Sequence, residues 1–193
     1  LNMLKKEKKI IVLTGASRGI GHATVKKFQE NDWRVITCSR QSFDDRCPWP
    51  GGEENHIQVD LSDKKSLDSA IVNIKTLIDG NLNALVNNAG ISPKNTKGGR
   101  LDIFSTEINT WQKIFDVNFF STISLANGLK NELANTKGSI VNITSIAGSR
   151  VHPFAGAAYA TSKAALGALT REMANDFGKY GVRVNAVAPG EIE

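Results

Sequence analysis

Cysteine is nearly missing: the 193 residues hold only Cys38 and Cys47, which form no C-x-x-C pair and no cluster with the three histidines. That scarcity excludes a disulfide scaffold and a structural zinc site, and no metal is expected. Long apolar runs are also missing. None approaches the roughly 20 residues that cross a bilayer, and no extended apolar stretch near the N-terminus marks a secretory signal. The expected setting is therefore cytoplasmic, with no membrane partner. Aromatic residues make up only 7%, but 40% hydrophobic and 22% charged residues, at a mean hydropathy of −0.23, describe a globular chain rather than a disordered one. The length fits one domain, and no internal repeat divides it. The net charge is +5, yet Lys5-Lys6-Glu7-Lys8-Lys9 alone supplies +3 of it. Residues 1–9 thus read as a basic flank. The remainder carries no basic patch, so no nucleic-acid partner is expected.

What the chain does have is alternation. Ile10-Ile11-Val12-Leu13, Arg34-Val35-Ile36-Thr37-Cys38, Ile57-Gln58-Val59-Asp60, Leu82-Asn83-Ala84-Leu85-Val86, Ser139-Ile140-Val141-Asn142-Ile143 and Val182-Arg183-Val184-Asn185-Ala186-Val187 read as six strands. Between them lie helical stretches. The first follows Gly21, with Ile20, Thr24 and Phe28 on one side, and ends near Asn31-Asp32. Leu67, Ala70, Ile71, Ile74, Leu77 and Ile78 mark the second. A single long helix is predicted from about Thr110 to Asn135, and another from about Ala158 to Lys179. Residues 41–55 read as loop or broken helix. Strands alternating with helices imply βαβ units. The predicted fold is one α/β domain, residues 10–193, with a doubly wound parallel sheet and a ligand at the carboxyl ends of the strands.

The first strand runs directly into Thr14-Gly15-Ala16-Ser17-Arg18-Gly19-Ile20-Gly21 and then a helix. Glycines at that junction let the backbone approach an anion seated on the helix's N-terminal amides. The spacing is G-x-x-x-G-x-G, neither the usual dinucleotide G-x-G-x-x-G nor a Walker loop. Gly15-Ala16-Ser17-Arg18-Gly19 also satisfies G-x-S-x-G, the nucleophile elbow of hydrolases. That reading fails for want of an earlier strand to supply an oxyanion amide, and neither His56 nor His152 lies in a triad context. At the end of the second strand, where an NAD-preferring sheet carries Asp or Glu, this chain has Ser39-Arg40. Arg40, and Arg18 from the glycine loop, would hold a ribose 2′-phosphate by charge-assisted hydrogen bonds, so NADP is the cofactor this pair favours.

Tyr159-Ala160-Thr161-Ser162-Lys163 sets a phenol and an ammonium one helical turn apart. Ser145 ends the fifth strand, at the same rim as the glycine loop. Asn118 falls on the apolar stripe of its helix, seven residues after Trp111 and four after Ile114. A polar residue there needs partners. It is either a satisfied core amide or part of a site.

These residues in this order resemble the short-chain dehydrogenase/reductase family, in its single-domain branch, over Ile10 to Glu193. The extended branch, with its sugar epimerases, spaces its glycines differently. The resemblance implies a Rossmann-like fold and a hydride transfer between NADP(H) and a carbonyl or secondary alcohol. The catalytic set it implies is Asn118, Ser145, Tyr159 and Lys163. Tyr159 would be the general acid/base, Ser145 would orient the carbonyl oxygen, and Lys163 would also hold the nicotinamide ribose. Asn118 would kink its helix and hold a water in a relay to Lys163. The cofactor-binding set it implies is Gly15, Ser17, Arg18, Gly19, Ile20, Gly21, Ser39, Arg40, Asp60, Leu61, Asn87, Ala89, Gly90, Tyr159, Lys163, Pro189, Gly190 and Ile192. Asn87 and Asn88 look like ties between strands. A small-molecule substrate follows, with 3-oxoacyl thioesters the commonest class among relatives, and a homodimer or homotetramer. The different-class alternative is an NADP-binding regulatory or scaffold protein without turnover.

Three further signals carry less. Asn142-Ile143-Thr144 is a glycosylation sequon inside a core strand. His152 and Phe154 lie between Ser145 and Tyr159 and so could border a substrate pocket or simply be loop residues. The family pattern continues past Pro189-Gly190 with a threonine, a substrate lid and further sheet and helix, so a C-terminal part is expected beyond Glu193.

Overall fold

Ile10-Ile11-Val12-Leu13 has no polar side to turn to water, and it becomes an interior strand, β1 (Ile10–Thr14). In a computed structural model that describes residues 7–44 and 52–191, five more strands join it. They are β2 (Arg34–Ser39), β3 (His56–Gln58), β4 (Ala84–Asn87), β5 (Ser139–Ile143) and β6 (Arg183–Val187). All pair in parallel, in the order β3-β2-β1-β4-β5-β6. The chain moves outward one way from β1 through β2 and β3, then restarts on β1's other side with β4. That reversal opens a crevice at the carboxyl ends of β1 and β4.

The helices are α1 (Gly19–Glu30), α2 (Lys64–Ile78), α3 (Ile108–Phe115), α4 (Ser121–Gly128), α5 (Lys130–Thr136) and α6 (Ala157–Gly178). Successive strand residues face opposite sides, so the sheet has two cores. Val12, Ile36, Leu85 and Ile140, each fully buried, pack with Ile74 and Ile78 of α2, with Leu125, Leu129 and Leu133, and with Met173 and Phe177 of α6. Ile11, Leu13, Val35 and Val86 pack against Val25 of α1 on the other side. Burying each such side chain contributes about 1.5–3 kcal/mol. Asp63 caps α2, its carboxylate accepting from the Ser66 N–H at 2.9 Å.

Several boundaries differ from the sequence reading. The helix expected from Thr110 to Asn135 is three helices. A π-helical turn, Asp116–Phe120, separates α3 from α4, and Leu129 leaves helical geometry at φ −108°, ψ 14° before α5. The extra residue in the π turn falls where Asn118 is buried. On α1 the buried stripe is Gly21 and Val25, one residue later than Ile20 and Thr24, because Ile20 faces the crevice instead. Val59 and Asp60 follow β3, Leu82 and Asn83 precede β4, and Val182 precedes β6, although the sequence reading placed all five in strands. Of residues 41–55, Glu53–Asn55 form a 3-10 turn; Cys47 and most of the basic flank lie outside the described residues. Among the described residues no helix is long and apolar enough to cross a membrane.

Candidate active site

The crevice is built first from the turn after β1. Gly15 holds φ +68°, a backbone setting that side chains resist. A Cβ on Gly21 would stand 2.0 Å from the Gly15 carbonyl oxygen, so only hydrogen there lets the turn fold back on α1. Arg18, the α1 N-cap, places no side chain on the helix's first amides, and the first turn holds no acid. Those N–H groups stay open to an anion. Asn88 locks the turn to β4: its Nδ2 donates to the carbonyls of Thr14 (3.0 Å) and Gly15 (2.9 Å). The Thr14 hydroxyl oxygen accepts from the Asn88 and Ala89 N–H groups, both at 3.1 Å. Gly21→Ala is expected to cost about 1–3 kcal/mol of stability through that overlap, measured by denaturant unfolding, and to abolish dinucleotide binding, measured by titration.

A cleft of about 370 Å³ opens in front of this turn. Gly15, Ser17, Arg18, Gly19, Ile20 and Gly21 form one wall; Ser39, Arg40, Asp60 and Leu61 form the far end; Ala89 and Gly90 form the floor. Asp60 is held below the usual carboxylate range chiefly by the Ser62 hydroxyl (2.7 Å) and the Ser62 N–H (2.9 Å), with the charges of Arg40 and Lys113 acting from further away. Cys38 also borders the cleft, but burial pushes its thiol up to about 12, which leaves it inert.

A second cleft, about 400 Å³, continues from the first, sharing Arg18, Ile20, Asn88 and Gly90 with it. Ser145, Tyr159, Lys163, Pro189 and Gly190 line it. Ser145 sits just past β5 because its Oγ caps a short 3-10 turn, accepting from the Ala147 N–H at 3.2 Å. Tyr159 and Lys163 project from the first turns of α6, the ammonium 5.8 Å from the phenol ring centre. Lys163 is 3% exposed and donates to the Ile143 carbonyl at 2.6 Å. Burial pushes its pKa down from 10.5 to about 8. A Cβ on Gly90 would approach that ammonium to 3.2 Å, so the glycine keeps open the space between the two clefts.

Two predicted site residues stand behind the clefts rather than in them. The Asn118 amide is committed to protein: its Oδ1 accepts from the Ile91 N–H at 2.8 Å, and its Nδ2 donates to the Ile91 carbonyl and the Ser162 hydroxyl. Ser162 in turn donates to the Tyr159 carbonyl at 2.7 Å. Asn118 thus braces the start of α6 against the loop after β4. Asn87 donates to Asn142 Oδ1 at 2.9 Å, tying β4 to β5, and lines neither cleft. Asn88 takes the cleft-facing place. Ile192 lies outside the described residues.

Sequence reasoning missed Ser62 and Lys113 as lining residues. Ser62 was readable, since a hydroxyl two residues after an aspartate commonly closes an Asx turn. Lys113 gave no signal. Among the described residues no group of His, Cys, Asp and Glu could hold a metal.

A parallel sheet with a strand-order reversal, an uncapped glycine-turn helix and a long crevice across both define a doubly wound protein built to take an extended anionic ligand such as a dinucleotide. The chain belongs to the short-chain dehydrogenase family, whose profile matches residues 9–193. It is 58% identical over 188 residues to protein FixR of Bradyrhizobium diazoefficiens, covering 96% of this chain and 68% of FixR. It also resembles a solved oxidoreductase of the short-chain dehydrogenase/reductase family from Brucella ovis, in complex with a partially ordered NAD: 62% identity, TM-score 0.93, 97% of this chain and 85% of that one. ElxO, solved with NADP bound, shares 32% identity at a TM-score of 0.83, over 97% of this chain and 75% of its own. The chain spans about two thirds of FixR's length.

Proposed function

We propose that this protein reduces a carbonyl, or oxidises the corresponding secondary alcohol, with NADP(H). One observation carries the reading: Ser145, Tyr159 and Lys163 share a cleft that is continuous with the glycine-turn cleft. The residues fit the cofactor. The open α1 amides and Arg18 suit its pyrophosphate, Asp60 and Leu61 border room for the adenine, and Lys163 beside Gly90 suits a ribose hydroxyl. When bound, the reduced nicotinamide supplies the hydride that becomes the new C–H bond.

The protein's own part is positioning and proton supply. Ser145 donates a hydrogen bond to the carbonyl oxygen. Tyr159 gives that oxygen its proton as the C=O π bond breaks, leaving an alcohol and a phenolate. The Lys163 ammonium stabilises the phenolate by charge. Asn118 is a positioning residue, holding α6 through Ser162. The substrate is a small carbonyl or alcohol; the working form is a cytoplasmic homodimer or homotetramer.

NADP(H) is favoured over NAD(H) because β2 ends in Ser39-Arg40, with no acid to hold a ribose 2′-hydroxyl. Among the described residues neither Arg18 nor Arg40 has a carboxylate within ion-pair distance. The NAD of the Brucella ovis relative supports the other nucleotide, and kinetics separate them. Arg40→Ala is expected to raise the KM for NADPH about 10- to 100-fold, the worth of a charged hydrogen bond, with the KM for NADH unchanged. Equal KM values for both nucleotides in the parent protein would reject the preference. The function itself is tested by following NADPH absorbance with a panel of ketones. Tight nucleotide binding without turnover of any carbonyl would favour the regulatory or scaffold alternative.

A further inference from the structure

Beside the candidate acid lies a third, smaller hollow, about 180 Å³, which Ser145 and Tyr159 border on one side and His152, Phe154, Gly190 and Glu191 on the other. His152 and Glu191 meet across it, Nε2 to Oε1 at 3.3 Å, joining the loop before α6 to the segment after β6. The His152 Nδ1 faces the Phe154 N–H at 3.4 Å, which leaves Nε2 toward the carboxylate. His152's side chain is 16% exposed and fixed by this loop, whose carbonyls at Phe154 and Ala155 accept from Lys94 and Arg100. The Glu191 side chain is 70% exposed. Their separation exceeds the roughly 2.7–2.9 Å of a closed charge-assisted hydrogen bond.

A donor and an acceptor side by side at the edge of the reaction cleft suit a hydroxyl, which accepts from Nε2–H while donating to the carboxylate. We propose that His152 and Glu191 are specificity-determining residues that recognise a hydroxyl on the carbon next to the reacting carbonyl, so that the substrate is a small, uncharged 2-hydroxy ketone or vicinal diol. This rests on the carbonyl-reductase reading above. A carboxylate-bearing substrate would be repelled by Glu191. The alkyl flank of a 3-oxoacyl thioester would leave both polar groups without a partner, which a site of this kind penalises heavily.

The test uses the full-length protein and isosteric pairs. With NADPH, hydroxyacetone is expected to exceed butanone in kcat/KM by about 100-fold or more, and His152→Phe or Glu191→Leu should bring that ratio to within about fivefold by lowering hydroxyacetone reduction alone. In parallel, calorimetry on the NADP⁺-bound protein should show propane-1,2-diol binding at least tenfold tighter than butan-2-ol, a difference lost in His152→Phe. This arm reads the hydroxyl preference even where turnover is slow. Equal kcat/KM for the two ketones, equal binding of the two alcohols, or preference for an acetoacetyl thioester would each overturn the proposal while leaving the carbonyl-reductase reading standing. Failure to bind either nicotinamide nucleotide would overturn both.

Discussion

Tyr159→Phe is expected to lower kcat for ketone reduction by at least about 10³-fold while leaving the affinity for NADPH within about twofold of the parent. The substitution deletes one oxygen. Positioned general acids typically contribute 10²–10⁴-fold, and here no second acid stands ready: Ser145 keeps its own proton for the hydrogen bond to the carbonyl, and Lys163 Nζ is turned to the Ile143 carbonyl. Tyr159 is half-buried beside Pro189 and Gly190, and its hydroxyl makes no hydrogen bond with the described protein groups that would hold the fold together. Stability should therefore change little. Stopped-flow fluorescence for binding and steady-state absorbance for turnover separate the two quantities. Unchanged turnover would remove Tyr159 from the role of proton donor.

Lys163→Met should move activity and stability in opposite directions. Loss of the ammonium removes the charge that stabilises the phenolate, so turnover is expected to fall about 10²- to 10³-fold. The folded protein, however, carries that ammonium at a cost. Its pKa is lowered from 10.5 to about 8 by burial, so below pH 8 the folded state holds a charge that is better solvated in the unfolded chain. Between pH 8 and 10.5 the unfolded chain retains a proton the folded one has released. Stability from this group therefore rises with pH across that window, by about 3 kcal/mol at roughly 1.4 kcal/mol per pKa unit. Lys163→Met should abolish that rise. At pH 7 it should be no less stable than the parent, because relief of the buried charge offsets the hydrogen bond lost by Ile143. Urea unfolding at pH 7 and pH 10 measures both effects. In the parent, carbonyl reduction should decline as pH passes through about 8 and Lys163 loses its charge.

Local chemistry was legible in the sequence wherever one segment carried it. Ile10-Ile11-Val12-Leu13 announces a buried strand, the glycines from Gly15 to Gly21 announce an anion turn, and Tyr159 with Lys163 shares one helix face because the α-helix repeats every 3.6 residues. The doubly wound parallel sheet followed from alternation, since right-handed crossovers leave few topologies; its strand order came from the structure. What escaped depends on contacts between distant segments. The π turn at Asn118 coincides with that amide's contacts to Ile91 and Ser162, which periodicity cannot see. Asn87 and Asn88 are adjacent in sequence, yet Asn87, the last residue of β4, faces β5 and Asn88, just past it, faces the glycine turn. Which of the two borders the cleft depends on sheet pairing. The meeting of His152 with Glu191 joins two loops with no common pattern.

The most direct measurement is a crystal structure of the full-length protein with NADP⁺ bound. The account predicts the diphosphate on the amides following Arg18, the 2′-phosphate between Arg18 and Arg40, and the nicotinamide ring in the cleft bounded by Ser145, Tyr159 and Gly190, with its ribose against Lys163. A nicotinamide seated away from the Tyr159 hydroxyl, or a nucleotide lying outside the crevice between β1 and β4, would contradict it.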